Sequence, residues 1–312
     1  MTTLLVASAG GHIKELHRLA PRVTPVDEQR VWVTNETVQT KSLLEGEDVI
    51  YMPAQYSREL LLMLRNAGGA VGVLRRVRPS VAVSTGAGIA LSFLPWVVAR
   101  GAGAHYVESG TRVHGPSLTG TLLQRVPGVR CYTQHASWAS RSWRHRGSVF
   151  DGFAVRRSAH PVPVRRVVVM LGSWMQPFRG LVERLVEVLP PGLDTLWQTG
   201  HTDVSDLPID ARAWVPAREL SAAIAEADAV VTHAGVGATL DVLEAGRLPV
   251  VVPRRKALGE QVDDHQVELG GALEGLDLAV VRTHEALCFD DIVQAAACRI
   301  DAVDAPPFVL DP

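Results

Sequence analysis

The sequence predicts an α/β protein made of two doubly wound domains of similar size, and three observations lead to this prediction. Short β-branched runs alternate with Gly-containing turns and segments of helical period, an order typical of parallel sheets covered by helices. The chain has 312 residues, enough for two ordinary domains. A segment rich in Arg, with Pro161 and Pro163, separates two series of strands near the middle.

The candidate strands define the two domains. The first series lies at 4–7, 30–34, 49–52, 81–84, 105–107 and 129–133, and the second at 167–171, 195–198, 229–232, 249–252 and 279–281. We therefore expect a first domain over 1–152, a linker over 153–166, a second domain over 167–304 and a tail over 305–312. Doubly wound domains bind ligands at the carboxyl ends of their strands, which predicts a ligand cleft between the two domains.

Composition and charge exclude several classes of protein. The chain is 47% hydrophobic and 21% charged with a formal net charge of −2, which speaks against disorder and against nucleic acid as a partner. Cys131, Cys288 and Cys298 have neither CxxC spacing nor an accompanying His cluster. We therefore expect no zinc site, no disulfide framework and a reducing, cytoplasmic location.

Two apolar segments are candidates for a signal peptide and for a transmembrane helix. Met1–Ala9 lacks a basic region and is too short for a signal peptide, so we expect a first buried strand there. Pro79–Ala99 carries no charge and is long enough to span a bilayer. It is interrupted by Ser84, Thr85, Gly86, Gly88 and Pro95. These residues predict a strand, a tight loop and a helix instead of a membrane span.

The first glycine-containing junction follows the first strand and reads Ser8-Ala9-Gly10-Gly11-His12. Glycines at this place allow backbone N–H groups and the N-terminus of the next helix to face an anion. His12 at the start of that helix is a candidate base or phosphate contact, because imidazole titrates near neutral pH. A tight turn with a helix-capping histidine is an equally simple interpretation.

A second junction spans 84–88, and the next strand ends in the polar segment 108–112. Gly86, Gly88 and Glu108 match part of a dinucleotide fingerprint, which is the basis for an alternative function as an NAD-dependent oxidoreductase. Leu91 stands where that fingerprint needs its third glycine. NAD binding is therefore the weaker interpretation.

Two further turns open helices. Ser117 is a candidate helix cap in the turn 115–120. Gly172 and Ser173, after the first strand of the second domain, are placed to present an N–H group and a hydroxyl to the cleft. A routine strand-to-helix turn explains this third junction as well.

The fourth junction is the most informative. A buried apolar strand runs into the glycine loop His233-Ala234-Gly235-Val236-Gly237-Ala238-Thr239 and then into a helix. The backbone N–H groups of 235–239 are expected to cradle a diphosphate at the positive end of that helix. Asp241 and Glu244 lie one turn apart on it, where a carboxylate accepts hydrogen bonds from a ribose diol.

A dense polar cluster follows the next strand and enters a helix. It contains Glu260, Gln261, Asp264, His265 and Gln266. A solvated helix start explains the acids of the cluster, but it explains the two glutamines and the histidine less well.

The glycine loop at 233–239 and the cluster at 260–266 together resemble the donor-binding half of glycosyltransferase family 28. The resemblance extends to the catalytic subunit of the two-part UDP-GlcNAc transferase of dolichol-linked oligosaccharide synthesis and to its bacterial exopolysaccharide relatives. Residues 171–178 and 198–200 fit the same pattern. Residues 1 to about 150 resemble the membrane-recruiting, acceptor-binding partner subunit, through the motifs at 8–12, 84–88, 108–112 and 115–120. The chain is thus similar to a fusion of the two subunits.

This resemblance implies the GT-B fold, with two Rossmann-like domains facing each other across a cleft. It also implies inverting transfer of a sugar, GlcNAc or glucose, from a UDP-sugar to an acceptor hydroxyl. The implied donor-binding residues are Gly10, Gly11, Gly172, Ser173, His233, Ala234, Gly235, Gly237, Ala238, Thr239, Asp241, Glu244, Glu260, Gln261, Asp264, His265 and Gln266. The implied acceptor-binding residues are Gly86, Gly88, Arg112 and Ser117.

Inverting transfer needs a base near the acceptor hydroxyl and stabilisation of the departing diphosphate. His12 is the first candidate for the base and Glu108 the second, unless Glu108 pairs with Arg112 and is structural. No carboxylate pair with DxD spacing lies in a loop, so we expect no obligatory metal and no cofactor beyond the UDP-sugar co-substrate.

The sequence departs from the family pattern at two places. The partner subunit commonly has an N-terminal membrane anchor, whereas this sequence starts with the first strand, so the acceptor is either lipid-linked or soluble. Contact with a membrane is then expected to be peripheral, at its inner face. Asp241 stands where the family often has Glu, which leaves Asp241 and Glu244 as alternatives for the ribose contact. A non-catalytic UDP-sugar-binding protein is a further alternative.

Overall fold

The computed structural model describes residues 1–25, 28–53, 60–158, 162–172 and 175–311, with the backbone alone over 60–66. The chain divides into two compact units. The first unit comprises Met1–Asp151 together with Pro306–Pro312, and the second unit comprises Gly152–Ala305.

The first unit contains a seven-stranded parallel sheet covered by helices. Its elements are β1 (Thr2–Ala7), α1 (Gly11–Val23), β2 (Gln29–Asn35), α2 (Val38–Leu43), β3 (Asp48–Met52), α3 (Leu60–Val77), β4 (Val81–Gly86), α4 (Gly88–Val98), β5 (Gly103–Val107), α5 (Leu118–Leu123), β6 (Val129–Thr133) and β7 (Trp143–His145). The strand order is β3-β2-β1-β4-β5-β6-β7. The order reverses between β1 and β4, so these two strands flank the topological switch point of the unit.

Burial on both faces explains why the central strands are apolar throughout. Leu4, Leu5, Val6 and Ala7 of β1 are all fully buried, as expected for a parallel strand with helices on either side. Helix α1 turns its apolar face to this sheet at Ile13, Leu16, Leu19, Ala20 and Val23, a spacing typical of an amphipathic helix.

The second unit contains a six-stranded parallel sheet and a separate two-stranded antiparallel sheet. Its elements are β8 (Phe153–Arg157), β9 (Arg166–Met170), α6 (Arg179–Val188), β10 (Asp194–Gln198), β11 (Ala211–Arg212), α7 (Ala217–Glu226), β12 (Ala229–His233), α8 (Val236–Glu244), β13 (Pro249–Val252), α9 (His265–Gly275), β14 (Val280–Val281), α10 (Phe289–Ala296) and β15 (Cys298–Ala302). The parallel sheet has the order β11-β10-β9-β12-β13-β14, with its switch point between β9 and β12. Strands β8 and β15 form the antiparallel pair.

The predicted linker over 153–166 is partly wrong, because 153–157 form strand β8. This strand pairs with β15 along its whole length, from Phe153 opposite Ala302 to Arg157 opposite Cys298. Arg156 donates to Asp301 across the pair at 2.8 Å. The partner strand β15 lies far along the chain, and the local abundance of Arg and Pro around β8 favours a linker. The local sequence therefore does not predict β8.

The predicted tail over 305–312 also differs from the structure. Phe308 is 1% exposed and packs edge-on against Tyr132, with ring centroids 5.6 Å apart. The backbone N–H of Asp311 donates to the Tyr132 hydroxyl at 2.9 Å, and its carboxylate pairs with Arg144 and Arg146. The C-terminal segment is therefore an integral part of the first unit.

The uncharged segment 79–99 folds as the sequence predicts, into β4, a tight loop and α4. Within the described part of the chain, no helix combines the length and the apolar character needed to cross a membrane.

Candidate active site

The sequence-predicted glycine junctions lie at the topological switch points of both sheets. In the first unit, loop 8–10 follows β1 and residues 86–88 end β4 and open α4. In the second unit, loop 171–172 follows β9 and loop 234–235 follows β12. Open parallel sheets bind ligands at this position, outside the carboxyl ends of the strands. Each unit therefore presents one candidate site.

In the first unit, the two switch-point loops are in direct contact. The backbone N–H of Ser8 donates to the Gly86 carbonyl at 3.1 Å, and the Thr85 hydroxyl donates to the His12 carbonyl at 2.7 Å. Gly86 has a φ of +106°, and a Cβ there would lie 3.3 Å from Cε1 of His12. Gly86 thus leaves room for the imidazole ring, while Gly88 opens α4.

The N-terminus of α1 lies in this first-unit site. Gly10 precedes the helix with a φ of +94°, and no described side chain caps it. The N–H of Gly10 donates to Oε1 of Gln39 at 3.0 Å, so it already has a partner. The first N–H groups inside the helix, from Gly11 and His12, have no acceptor within the helix.

His12 combines an exposed edge with a buried nitrogen. Its side chain is 32% exposed, yet Nδ1 is buried and has no hydrogen-bond partner among the described residues. The accessible part of the ring is therefore the part that carries Nε2. Burial lowers the pKa of His12, and the positive charge of Arg112 acts in the same direction. The ring is thus largely neutral near pH 7, as a proton acceptor must be.

Glu15, one turn further along α1, is a residue that sequence reasoning missed. It is fully buried, and its Oε1 accepts from the Gly110 N–H at 2.6 Å and from Nε2 of Gln134 at 3.0 Å. Its Oε2 lies 3.8 Å from Nδ1 of His12. Burial raises the pKa of Glu15 to about 7. The spacing of three residues from His12 was the available signal, since it places both side chains on one helix face.

Glu108, the second sequence candidate for the base, has a structural role instead. Its Oε1 accepts from the Tyr106 hydroxyl and the Ser109 N–H, both at 3.1 Å. Its Oε2 accepts from the N–H and the hydroxyl of Ser117, at 2.8 and 2.9 Å. Because four donors surround this buried carboxylate, no oxygen remains to accept a proton from a substrate. Ser117 also caps α5 through the Gly120 N–H, so its hydroxyl is engaged as well.

In the second unit, the two switch-point loops meet at the ring of His233. A Cβ on either Gly172 or Gly235 would overlap this ring, so glycine at both positions allows the two loops to close around it. Burial lowers the pKa of His233 to about 4, with a further contribution from the charge of Arg254. His233 is therefore a neutral part of the loop packing. Ser173 lies outside the described residues.

Helix α8 begins at this junction without a side-chain cap from any described residue. Gly237, Ala238 and Asp241 are partly exposed on one face of the helix, whereas Glu244 is exposed further along. Ala234 and Thr239 are completely buried, and the Thr239 hydroxyl has no partner among the described residues. Uncapped N–H groups at a helix N-terminus bind anions.

The predicted polar cluster comes together after β13, but most of its contacts are internal. Glu260 accepts from the Arg255 N–H at 2.9 Å and Gln266 from the Arg254 N–H at 3.1 Å. Gln261 accepts from the Val262 N–H, Asp264 from the Lys256 N–H, and His265 pairs with Asp263. The cluster thus shapes the loop 254–266 that follows β13.

Two further residues of this edge were not predicted from the sequence. Arg254 is 1% exposed, donates to the carbonyls of Leu171 and Gln176 at 3.0 and 2.7 Å, and lies over the Phe178 ring at 4.6 Å. It joins the end of β13 to the loop after β9. Trp214 follows β11, is 52% exposed and packs edge-on against His201.

Among the described residues, no group of three or more His, Cys, Asp or Glu side chains is arranged to hold a metal ion.

The site of the second unit lies within a stretch of the chain that is similar to a known family of domains. Residues 168–287 match the model of the glycosyltransferase family 28 C-terminal domain. The matched stretch includes both switch-point loops, helix α8 and the loop 254–266. No curated protein sequence matches the chain.

Solved structures are similar to the chain over nearly its whole length. The crystal structure of Acinetobacter baumannii MurG matches this chain with a TM-score of 0.60 at 16% identity. The match covers 95% of this chain and 94% of the MurG chain. The glycosyltransferase SnogD from Streptomyces nogalater has a TM-score of 0.54 at 18% identity, with coverage of 95% and 92%.

A third structure, the spinosyn rhamnosyltransferase SpnG complexed with thymidine diphosphate, has a TM-score of 0.57 at 15% identity, with coverage of 95% and 91%. At these identities the similarity establishes the fold. The predicted fold class is confirmed, since the chain has the GT-B fold with two Rossmann-like units.

Proposed function

We propose that this protein is a glycosyltransferase that moves a sugar from a nucleotide diphosphate sugar to an acceptor hydroxyl. The observation that carries the proposal is the uncapped helix α8 behind the glycine loop 234–235, at the switch point of a family 28 C-terminal domain. This arrangement suits a diphosphate, because N–H groups and the helix dipole both stabilise negative charge there.

The donor is proposed to be a UDP-sugar, with UDP-GlcNAc ahead of UDP-glucose. The sequence resemblance to the two-part UDP-GlcNAc transferase and its exopolysaccharide relatives supports this choice. Asp241 is favoured over Glu244 for the ribose diol, because it is partly buried on the same helix face as Gly237. The exposed ring of Trp214 offers an aromatic face to a nucleobase near Gly200, where an added Cβ would lie 3.9 Å from the ring.

The first unit is proposed to supply the acceptor site and the base. His12 accepts the proton of the acceptor hydroxyl on Nε2 while the oxygen attacks the anomeric carbon. The bond from that carbon to the diphosphate breaks, and its electron pair leaves with the diphosphate. Attack opposite the leaving group inverts the anomeric configuration and gives a β-glycoside from an α-linked donor.

A peripheral contact with the inner face of the cytoplasmic membrane is proposed for the first unit. The contacting helices α4 and α5 carry exposed apolar side chains at Trp96, Leu118 and Leu122. Clustered apolar residues on a surface are typical of interaction sites. Co-sedimentation with anionic lipid vesicles tests this contact: we expect the wild type to bind and Leu118→Ser to bind less, and equal sedimentation of the two would contradict it.

The proposed function is tested by ligand binding followed by transfer. The panel contains UDP, UDP-GlcNAc, UDP-glucose, a dTDP-sugar and NAD, each with and without Mg²⁺. We expect UDP-selective stabilisation, about 2.7 kcal/mol at 100 times the Kd, and release of UDP in the presence of an acceptor. Stabilisation by NAD alone would instead support an oxidoreductase. UDP binding without UDP release from any donor would support a non-catalytic binding protein.

A further inference from the structure

Two buried polar atoms without a partner face each other beneath the exposed edge of His12. They are Nδ1 of His12 and Oε2 of Glu15, 3.8 Å apart, and neither has a hydrogen bond of standard geometry within the described part of the chain. The Thr85 backbone lies close to His12 and the Ser109 side chain close to Glu15, and each favours the charged form of its neighbour. Leaving a buried carboxylate oxygen unpaired costs free energy, so such a pair is rare unless it serves a purpose.

The side chain of Glu15 cannot turn away from His12 without losing contacts. Its other oxygen is fixed by the Gly110 N–H on the loop after β5 and by Gln134 after β6. The helix α1 places both residues on one face, since they are three positions apart. Gly86 closes the opposite side of the ring. Oε2 is therefore held pointing at Nδ1 by three different elements of the unit.

We infer that Glu15 is the positioning residue that makes His12 a base, an inference that rests on the proposed function. Its carboxylate selects the tautomer with the proton on Nδ1, so that the lone pair of Nε2 faces the acceptor. When the acceptor hydroxyl transfers its proton to Nε2, the imidazolium keeps Nδ1–H and is balanced by the Glu15 carboxylate. The gap of 3.8 Å closes by a small rotation of the ring, as catalytic hydrogen bonds often shorten when charge develops.

The charged groups around the pair are consistent with this role. Arg112 faces His12 from the loop after β5, and the Glu108 carboxylate lies near Glu15. Burial raises the pKa of Glu15, with Glu108 adding to the shift, and lowers that of His12. The hydroxyl of Tyr106 approaches Gly86 from β5 and donates to Glu108, so it contributes no charge.

The substitution Glu15→Gln tests the inference with little change in shape. The amide oxygen still accepts from Gly110 and Gln134, but the amide N–H₂ then faces Nδ1 as a donor and favours the opposite tautomer. We expect kcat to fall about 10²- to 10⁴-fold, with the affinity for UDP unchanged. Adding Glu15→Gln to His12→Ala is expected to cause no further loss. Glu47→Gln, the same change at an exposed carboxylate of the first unit, controls for loss of charge.

The tautomer itself is measured by ¹⁵N NMR of the histidine side chains, with the His12 signals assigned from His12→Ala. The wild type is expected to carry the proton on Nδ1, and Glu15→Gln on Nε2. An unchanged tautomer, an unchanged pH–rate profile, or losses that add in the double variant would each overturn the inference. If the wild type transfers no sugar from any donor, the proposed function fails, and the tautomer measurement alone then decides whether Glu15 orients His12.

Discussion

Gly172 lies directly against the imidazole ring of His233, so that any Cβ at position 172 would overlap the ring. The contact joins the loop after β9 to the loop after β12 at the switch point of the second sheet. Gly235 meets the same ring from the other loop. The shape of the proposed diphosphate site is thus set by a neutral histidine between two glycines.

The substitution Gly172→Ala is expected to weaken UDP binding. The new methyl group displaces His233 and with it the loop before α8, and overpacking of this kind costs about 1–3 kcal/mol. The expected increase in the Kd for UDP, measured by calorimetry, is about tenfold or more.

Gly192→Ala provides the matched control. Both glycines have a positive φ, +75° at Gly172 and +80° at Gly192, but nothing lies within 4 Å of a Cβ at Gly192. The control carries the backbone strain alone, about 1–2 kcal/mol of folding stability, and should bind UDP normally. Equal effects of the two substitutions on UDP binding would contradict the role assigned to the His233 contact.

Glu108→Gln is expected to affect stability rather than catalysis. The substitution replaces one acceptor oxygen by an N–H₂ group. That group then faces other donors, either those of Ser117 or those of Tyr106 and Ser109. The mismatch costs about 1–3 kcal/mol of unfolding free energy. The kcat of the folded variant should stay within a few-fold of the wild type. Urea unfolding measures the unfolding free energy, and the pH–rate profile measures kcat. A loss of kcat as large as that of His12→Ala would restore Glu108 as a candidate base.

Asp241→Asn is expected to weaken UDP while leaving inorganic pyrophosphate binding unchanged. A hydrogen bond between a carboxylate and a ribose hydroxyl contributes about 1.5–3 kcal/mol, roughly a tenfold or larger change in Kd. Glu244→Gln, at an exposed position on the same helix, should change neither affinity. If Asp241→Asn weakens UDP and pyrophosphate equally, the effect comes from the loop or the helix and not from the ribose.

The sequence predicted the central strands because they are buried on both faces and carry uninterrupted β-branched runs. It missed β7, β8, β11 and β15, whose pairing depends on distant or edge partners; β8, for example, pairs with β15 at the far end of the second unit. Patterns of local period contain no information about such partners.

The predictability of the site has a similar limit. The switch-point junctions were predicted because glycine loops after buried strands mark them in sequence. The sequence alone does not distinguish Glu15 from Glu108, because the difference between them lies in their hydrogen bonds. One carboxylate oxygen of Glu15 has no hydrogen-bond partner among the described residues, whereas both oxygens of Glu108 have partners. Arg254 was missed for the same reason, since its contacts reach the loop after β9.

His105 is expected to reduce the stability of the first unit as the pH drops from 6.5 to 4, whereas Glu15, whose pKa burial raises to about 7, acts in the opposite direction. Burial lowers the pKa of His105 to about 4, from 6.5 in the unfolded chain, so only the unfolded chain binds a proton in this window. The loss approaches about 2–4 kcal/mol below the window. His105→Gln should remove this contribution, so the slope of stability against pH should differ between the wild type and the variant across the window, measured by urea unfolding at several pH values. His114→Gln at an exposed position should leave it unchanged, and an equally steep curve for His105→Gln would refute the assignment.

Phe308→Ala tests whether the C-terminal segment holds the first unit together. The ring is 1% exposed and packs against Tyr132, and removing a buried phenylalanine costs about 3–5 kcal/mol where the cavity does not collapse. Val309→Ala removes apolar atoms from the next residue, which is 62% exposed, and should change stability by less than about 0.5 kcal/mol. Urea unfolding followed by tryptophan fluorescence compares the two. Equal urea midpoints for both variants would mean that residues 306–311 lie on the unit without stabilising it. If the segment is packed, removing the buried Phe308 side chain must cost more stability than trimming the exposed Val309 side chain.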